Sequence, residues 1–330
     1  MPFKVIITRD FDHISETAAR IVTEDIRNRS AKKPEYVIGL ATGNTPTGLY
    51  KHLAKAANTG DFDSSRLTSF NLDEYVGLPG ENSQQRTLHP ESYSFFMVQE
   101  LFGLLQKKFG ATYVPWGTLI DQSVLSLEME SHPEDWQAQG ADKGKAIVIR
   151  KDPGSDYLRW VRQEILDAYR EKIHRTGGID LHIVGVGGRG HVGFHEAGIP
   201  FEENEMLLVK LDENTVENSV TDGHFASREE SPQYAVSMGA SLIYQAGTVL
   251  LLANGDRKTG PIGESLLMEP DCSVPISYGH MLAENGGKMI YVLDRAAAED
   301  VIRNRGAIEE RGIKIEDISR EKASIKVEDL

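Results

Sequence analysis

Residues 181–196 read LHIVGVGGRGHVGFHE, an apolar run that empties into glycines and is followed at once by His191, His195 and Glu196. Glycine reaches positive φ and carries no side chain, so amide N–H groups at such a turn can approach an anion closely. An imidazole titrates near neutral pH, and a nearby carboxylate adds capacity for proton transfer. The segment therefore reads as part of an active site. Gly185, Gly187 and Gly190 also satisfy G-x-G-x-x-G, the dinucleotide-binding fingerprint. That fingerprint requires a helix directly after the glycines. Here His191, Phe194 and Glu196 follow instead, and Gly198-Ile199-Pro200 interrupts the chain. No nicotinamide or flavin is expected; the plainer alternative is a turn whose glycines only let a strand pack closely.

A second cluster, ATGNTPTGLYKHL, runs from Ala41 to Leu53. It follows an apolar run and opens a helical pattern, with Thr45 expected as N-cap and Pro46 at the first helical position. A helix start presents free N–H groups and the positive end of the dipole, a ready phosphate site. Thr42, Gly43, Asn44 and Thr45 would supply the donors. No lysine follows the second glycine, so this is not a nucleotide triphosphate loop. The alternative is a capped turn with no ligand.

The third cluster is LTSFNLDEYVGLPGENSQ. In an extended strand Phe70 and Leu72 face one side and Asn71 and Asp73 the other. A carboxylate at a strand end, partly desolvated, would have the raised pKa that suits a general base. Equally, Asp73 or Glu74 would serve as a cap for the following turn.

Elements that could bring these clusters together alternate along the chain. Strands are expected at Lys4–Thr8, Tyr36–Ala41, Leu67–Asn71, Leu181–Val186, Val249–Ala253 and Met289–Leu293, and helices at Ile14–Asn28, Leu49–Ala57, Tyr93–Phe109 and Tyr157–Thr176. This rhythm predicts an α/β fold, a mostly parallel sheet with helices on both faces and a ligand crevice at the strand C-termini. Residues 115–156, rich in proline, glycine and polar residues, read as an insertion that elaborates the surface, with Trp116, Trp136 and Ala146–Ile149 available to bury it. In the tail, Ile313–Ile318 and Ser324–Leu330 alternate apolar and polar residues, as edge strands or a subunit contact would.

The 330 residues carry a net charge of −14, with 36 Lys+Arg against 50 Asp+Glu. That balance opposes a nucleic-acid or anionic-membrane surface. A single cysteine, Cys272, excludes an intrachain disulfide and fits a reducing cytoplasm. The opening MPFKVIITRD lacks the layout of a secretion signal.

Taken together, the segments resemble the glucosamine-6-phosphate deaminase (isomerase) family, of which the chain looks like a divergent member. The matching pieces are TGNTPTGLYKHL, FNLDEYVGLPGENSQ with ESYSFFM, IDLHIVGVGGRGHVGFHEAG, AVSMGASLIYQAGTVLLLANGDRK and VPISYGHML. The resemblance implies a Rossmann-like sheet, no cofactor, no metal, and an aldose-to-ketose isomerisation with loss of ammonia through an enolamine. It implies that Asp73 moves a proton between C2 and C1, that His191 opens the sugar ring, and that Glu196 orients His191. Phosphate would rest on Thr42, Gly43, Asn44, Thr45 and Lys258, with Gly187 as a further substrate contact. Apart from the resemblance, Arg189 is expected to bind substrate by taking over an anion contact from another direction. A homo-oligomer is implied as well. The competing readings are a non-catalytic sugar-phosphate binder and a 6-phosphogluconolactonase-like hydrolase.

The sequence also departs from the family. Arg189 stands where the family has an aspartate two residues before the histidine, a change of two units of charge. Val220 stands where the family places a phosphate-binding arginine after the Asn218-Ser219 pair, and Asn44 where a glycine is usual. His195 replaces an asparagine, and no basic residues of an allosteric phosphate site follow Glu196.

Overall fold

The computed structural model describes residues 2–201, 205–221 and 223–330, with Asn218 described by its backbone. Its strands are β1 (Phe3–Ile7), β2 (Tyr36–Leu40), β3 (Leu67–Asn71), β4 (Asp73–Val76), β5 (Ala111–Tyr113), β6 (Trp136–Gln139) and β7 (Lys145–Ile149). They continue with β8 (Leu181–Val184), β9 (Met206–Lys210), β10 (Tyr234–Met238), β11 (Thr248–Ala253), β12 (Lys288–Leu293) and β13 (Lys314–Asp317).

Eight strands form a parallel sheet in the order β13-β1-β12-β11-β8-β2-β3-β5. Strands β2, β3, β8 and β11 are buried along their whole length, as a sheet flanked by helices requires. The Phe11–Ser30 helix turns Ile14, Ala18, Val22 and Ile26 inward at a spacing of one turn, and Asp10 caps it by accepting from His13 N–H at 3.1 Å. From β2 the chain advances outward through β3 to β5; from β8 it advances the other way through β11 to β12. The order therefore reverses between β2 and β8. Loops leaving the C-terminal ends of such strands diverge and open a crevice.

A second sheet, which the apolar runs did not disclose, is antiparallel in the order β4-β10-β9-β7-β6. Leu72 joins it to the first: its N–H donates to Leu40 O at 3.1 Å, and its carbonyl accepts from Met238 N–H at 2.7 Å. The segment expected as a surface insertion contributes the Gln122–Ser131 helix and the β6–β7 hairpin to this second unit. The hairpin tip is held to the loop after β8, with Ala141 N–H donating to Gly198 O at 2.8 Å. It is not mere surface.

Three local expectations need correction. Tyr93–Phe109 is not one helix: Tyr93–Met97 widens into a π turn at Val98–Phe102, and Gly103 and Lys108 close it on the carbonyls of Val98, Phe102 and Leu105. In the tail, Lys314–Asp317 is an edge strand beside β1, but Ser324–Leu330 is not a strand. Val327–Asp329 forms one 3-10 turn whose Val327 N–H donates to Asp12 at 3.0 Å. The third, the start of the Thr47–Asn58 helix, belongs to the site itself.

Candidate active site

The loops after β2, β3, β8 and β11 surround a cleft of about 520 Å³ at the reversal point. Thr42, Gly43, Asn44, Thr45, Asp73, Gly187, His191 and Lys258 all line it. Of the residues singled out from sequence, Glu196 and Arg189 are placed outside that lining.

The β2 loop forms one wall. Gly43 sits at φ 95°, where L side chains are strained. This turn delays the helix, which starts at Thr47 and not Pro46. Thr45 does not cap it. Its hydroxyl crosses the cleft to donate to Asn254 Oδ1 at 2.7 Å, and Thr47 Oγ1 donates back to Asn44 O at 2.8 Å. Four cleft residues, Thr42–Thr45, thus precede a twelve-residue helix. Facing them, the turn after β11 brings up Asn254, Arg257 and Lys258. Asp294 fixes that turn by accepting from Gly255 N–H at 3.1 Å.

Asp73 is the first residue of β4 and pairs with Ser237 of β10. Gly193 is packed against both: a Cβ there would lie 2.9 Å from Ser237 Oγ and 3.3 Å from Asp73 Oδ2. The chain thereby brings the β8 loop directly onto the carboxylate. Asp73 is 5% exposed. Burial first, and the neighbouring charge of Glu74 second, push its carboxyl well above the ordinary range. The sequence left Asp73 and Glu74 both open as turn caps, and it is Glu74 that caps. Its carboxylate accepts from Ser92 Oγ at 2.9 Å and from the N–H groups of Tyr93, Ser94 and Tyr75, each at 3.0 Å. Glu74 therefore anchors the Tyr93–Met97 helix, and Asp73 is left facing the cleft.

On the β8 loop, His191 lies so close over Gly187 that a Cβ there would stand 1.8 Å from its Nε2. Only glycine leaves room for the ring. His191 Nδ1 is 3.2 Å from Glu196 Oε2, and because a carboxylate only accepts, Nδ1 carries the proton. The other Glu196 oxygen accepts from Thr215 Oγ1 at 2.7 Å and from Asp212 N–H at 3.4 Å. Burial opposes ionisation of Glu196, but the imidazole and these donors together hold its carboxyl below the ordinary range. Asp73 and His191 therefore share one cleft, and Glu196 stands behind the histidine.

Arg189 is engaged by protein carboxylates: it pairs with Asp142 and, at 3.5 Å, with Asp212. Val220 packs against the apolar cluster that includes Tyr75, Phe194 and Phe225. His195 is buried; its Nδ1 accepts from Ala240 N–H and its Nε2 donates to Ile199 O, both at 3.0 Å. Desolvation pulls its pKa down to about 4, so it is a neutral structural residue.

Sequence reasoning missed Tyr93, Asn254, Arg257 and His224 in the cleft lining. Tyr93 lies within ESYSFFM, and Asn254 and Arg257 within ANGDRK, so the adjacent motif residues were the available signal. His224 Nδ1 is 2.7 Å from Glu91 Oε2 and carried no signal. Among the described residues no three His, Cys, Asp or Glu side chains cluster as a metal site would need, and no helix is long and apolar enough to cross a membrane.

No protein-family model matches the chain. It is 34% identical over 298 residues to a glucosamine-6-phosphate deaminase of Clostridium tetani (strain Massachusetts / E88), covering 90% of this chain and 99% of that protein. To the enzyme of the same name from Thermoanaerobacter sp. (strain X514) it is 34% identical over 272 residues, 82% of this chain and 86% of that one. Among solved structures it is similar to a monomeric glucosamine-6-phosphate deaminase of the NagB superfamily, with TM-score 0.67, 26% identity, and coverage of 90% and 99%. It shares its fold with 6-phosphogluconolactonase from Thermotoga maritima, with TM-score 0.56, 15% identity, and coverage of 88% and 100%.

Proposed function

Since the chain belongs to the glucosamine-6-phosphate deaminase family, we propose that it is the enzyme that converts glucosamine 6-phosphate and water to fructose 6-phosphate and ammonia. The observation that carries this reading is the shared cleft of Asp73 and His191, one a dehydrated carboxyl and the other an imidazole backed by a buried carboxylate.

The phosphate rests on Thr42–Thr45, which line the cleft just ahead of the Thr47–Asn58 helix, where the positive end of the helix dipole favours an anion. Lys258 adds a positive charge from across the cleft. Holding this remote group places the sugar in reacting geometry. His191, with Nδ1 committed to Glu196, uses Nε2 to move a proton to and from the ring oxygen and O1, which opens the pyranose. Asp73 then takes the proton from C2. The C2–H pair becomes the C1–C2 double bond of an enolamine, and the same carboxyl returns the proton to C1. The Gly185–Gly187 turn lines the cleft and, held by the Gly187 N–H donating to His191 O at 3.0 Å, keeps the imidazole beside the place where charge develops on O1. Protonation at C1 leaves an iminium at C2; water adds there and ammonia departs. The raised pKa of Asp73 suits a group that must take a proton and give it back.

Release of ammonia from glucosamine 6-phosphate, followed in a coupled assay, tests the proposal. If no ammonia forms while phosphosugars still raise the melting temperature, the protein is a binder and the proposal fails. If proton release from 6-phosphogluconolactone is seen instead, the shared fold carries lactone hydrolysis.

A further inference from the structure

We infer that Asp142, at the tip of the β6–β7 hairpin, is a positioning residue for the His191–Glu196 pair, because it engages Arg189 and keeps that guanidinium off Glu196; the inference rests on the deaminase reading for its kinetic consequence.

The hairpin tip is built onto the loop that carries Glu196. Gly144 lies against it so closely that a Cβ would stand 2.6 Å from Glu196 Cβ and 2.7 Å from Cγ. Ala141 donates to Gly198 O at 2.8 Å. Gly198, at φ 85°, has no room for a side chain, since a Cβ would meet Asp142 N at 2.8 Å. Asp142 is thus delivered to Arg189 by a contact with little freedom.

The charges facing Arg189 are Asp142, Asp212 and Glu196, with His191 behind Glu196. The neighbouring Lys143 and Glu213 are occupied with each other at 3.1 Å. Hydrogen bonding to Arg189 holds Asp142 below the ordinary carboxylate range, and the same contact raises Arg189. Take Asp142 away, and the guanidinium has two carboxylates left, of which Glu196 is the one that His191 requires. A guanidinium on Glu196 would draw the carboxylate from Nδ1 and loosen the imidazole. The same cluster explains why a cation suits position 189: without one, Asp142, Asp212 and Glu196 would stand together as unpaired carboxylates, a cluster that resists ionisation. Arg189 and Asp142 are therefore one ion pair, made between the loop after β8 and a hairpin far away in sequence.

A partly exposed ion pair contributes little to stability, so the effect should appear in turnover. We expect Asp142→Ala and the isosteric Asp142→Asn to lower kcat about tenfold with KM for glucosamine 6-phosphate unchanged and melting temperature preserved. Asp142→Glu should retain most activity. The double variant Asp142→Ala/Arg189→Met should recover turnover toward wild type, since removing the guanidinium removes the competitor for Glu196; a hairpin that mattered only for folding would not be rescued this way. Wild-type kcat in Asp142→Asn, or no recovery in the double variant, overturns the inference. A crystal structure of Asp142→Ala decides it independently of the reaction: Arg189 paired with Glu196 supports it, and Arg189 left on Asp212 alone overturns it. Absence of ammonia release by the wild type, by contrast, counts against the deaminase reading and leaves the crystallographic test of the ion pair intact.

Discussion

Asp73 and Glu196 are both shut away from water, 5% and 3% exposed, yet their environments drive them in opposite directions. Around Asp73, among the described residues, no donor reaches the carboxylate, and Glu74 sits next to it in sequence as a second negative group. Glu196 has His191, Thr215 Oγ1 and Asp212 N–H. Burial raises both, so the donors make the difference. Glu74 shows how strong burial is, because even its bonds to Ser92, Tyr93, Ser94 and Tyr75 leave it above the ordinary range. In the proposed reaction two carboxyls separated in this way divide the work: one accepts and returns a proton, and the other stays charged to hold an imidazole.

Removing the proposed proton acceptor breaks the comparison most severely. Asp73→Asn should lower kcat roughly 10³-fold with little change in KM. It should also stabilise the protein. A carboxyl whose folded pKa lies above its unfolded value costs stability increasingly as the pH rises from the unfolded pKa through the folded one, and the cost is absent only below the unfolded pKa. The amide removes that cost at neutral pH, so the melting temperature should rise by roughly 2 °C. Turnover near the wild-type rate would end the assignment of Asp73, and a lowered melting temperature would end the electrostatic argument.

Displacing the histidine comes next. Gly187→Ala puts a methyl where the His191 ring now lies, and an ångström of misplacement costs about 10²-fold in turnover. Glu196→Gln keeps the shape and removes the charge. It should cost about 10- to 100-fold, as loss of an orienting partner does, and its effect on stability should be opposite to that of Asp73→Asn. Glu196 has a depressed folded pKa, so its contribution is present above the unfolded pKa and is lost as pH falls through the folded one. Thermal melts of the two variants at pH 7 should move apart; shifts of the same sign would show that the contrast between the two carboxyls is not electrostatic.

The sequence disclosed those parts of the molecule whose partners are local. Strands β2, β3, β8 and β11 were visible because burial on both faces demands unbroken apolar runs, and the glycine turns mark their ends. The second sheet was hidden because its strands pair across long stretches of sequence, β4 with β10 and β9 with β7 and β10, so that no local repeat announces them, and because β6 reads WQAQ with no fully buried residue. Asp73 could be named from its place at a strand end, but its burial depends on β10 and on Gly193, both far along the chain. Thr45 looked like a cap because the local pattern favours it; the positive φ at Gly43 and the bond to Asn254 override that pattern. The partner of Arg189 lay in a hairpin read as surface, and no local signal joins the two.

The histidines carry the same contrast to a smaller effect. His191 reaches the cleft with a charged partner, whereas His182 and His195 are buried with neutral ones: Ile183 O and Met238 S for the first, Ala240 N–H and Ile199 O for the second. Desolvation lowers both buried residues from 6.5 to about 4. Between those values the unfolded chain binds protons that the native state refuses, so stability falls as the pH drops from 6.5 toward 4. Each residue contributes up to about 1.4 kcal/mol per pH unit in that window. Denaturant unfolding at pH 7, 6 and 5 should show the slope, and His195→Asn should flatten it by one residue's share. An unchanged slope in that variant would mean that His195 accepts a proton inside the fold; the contact with Ala240 N–H would then have to break, and the loop after β8 would open where His191 needs it closed.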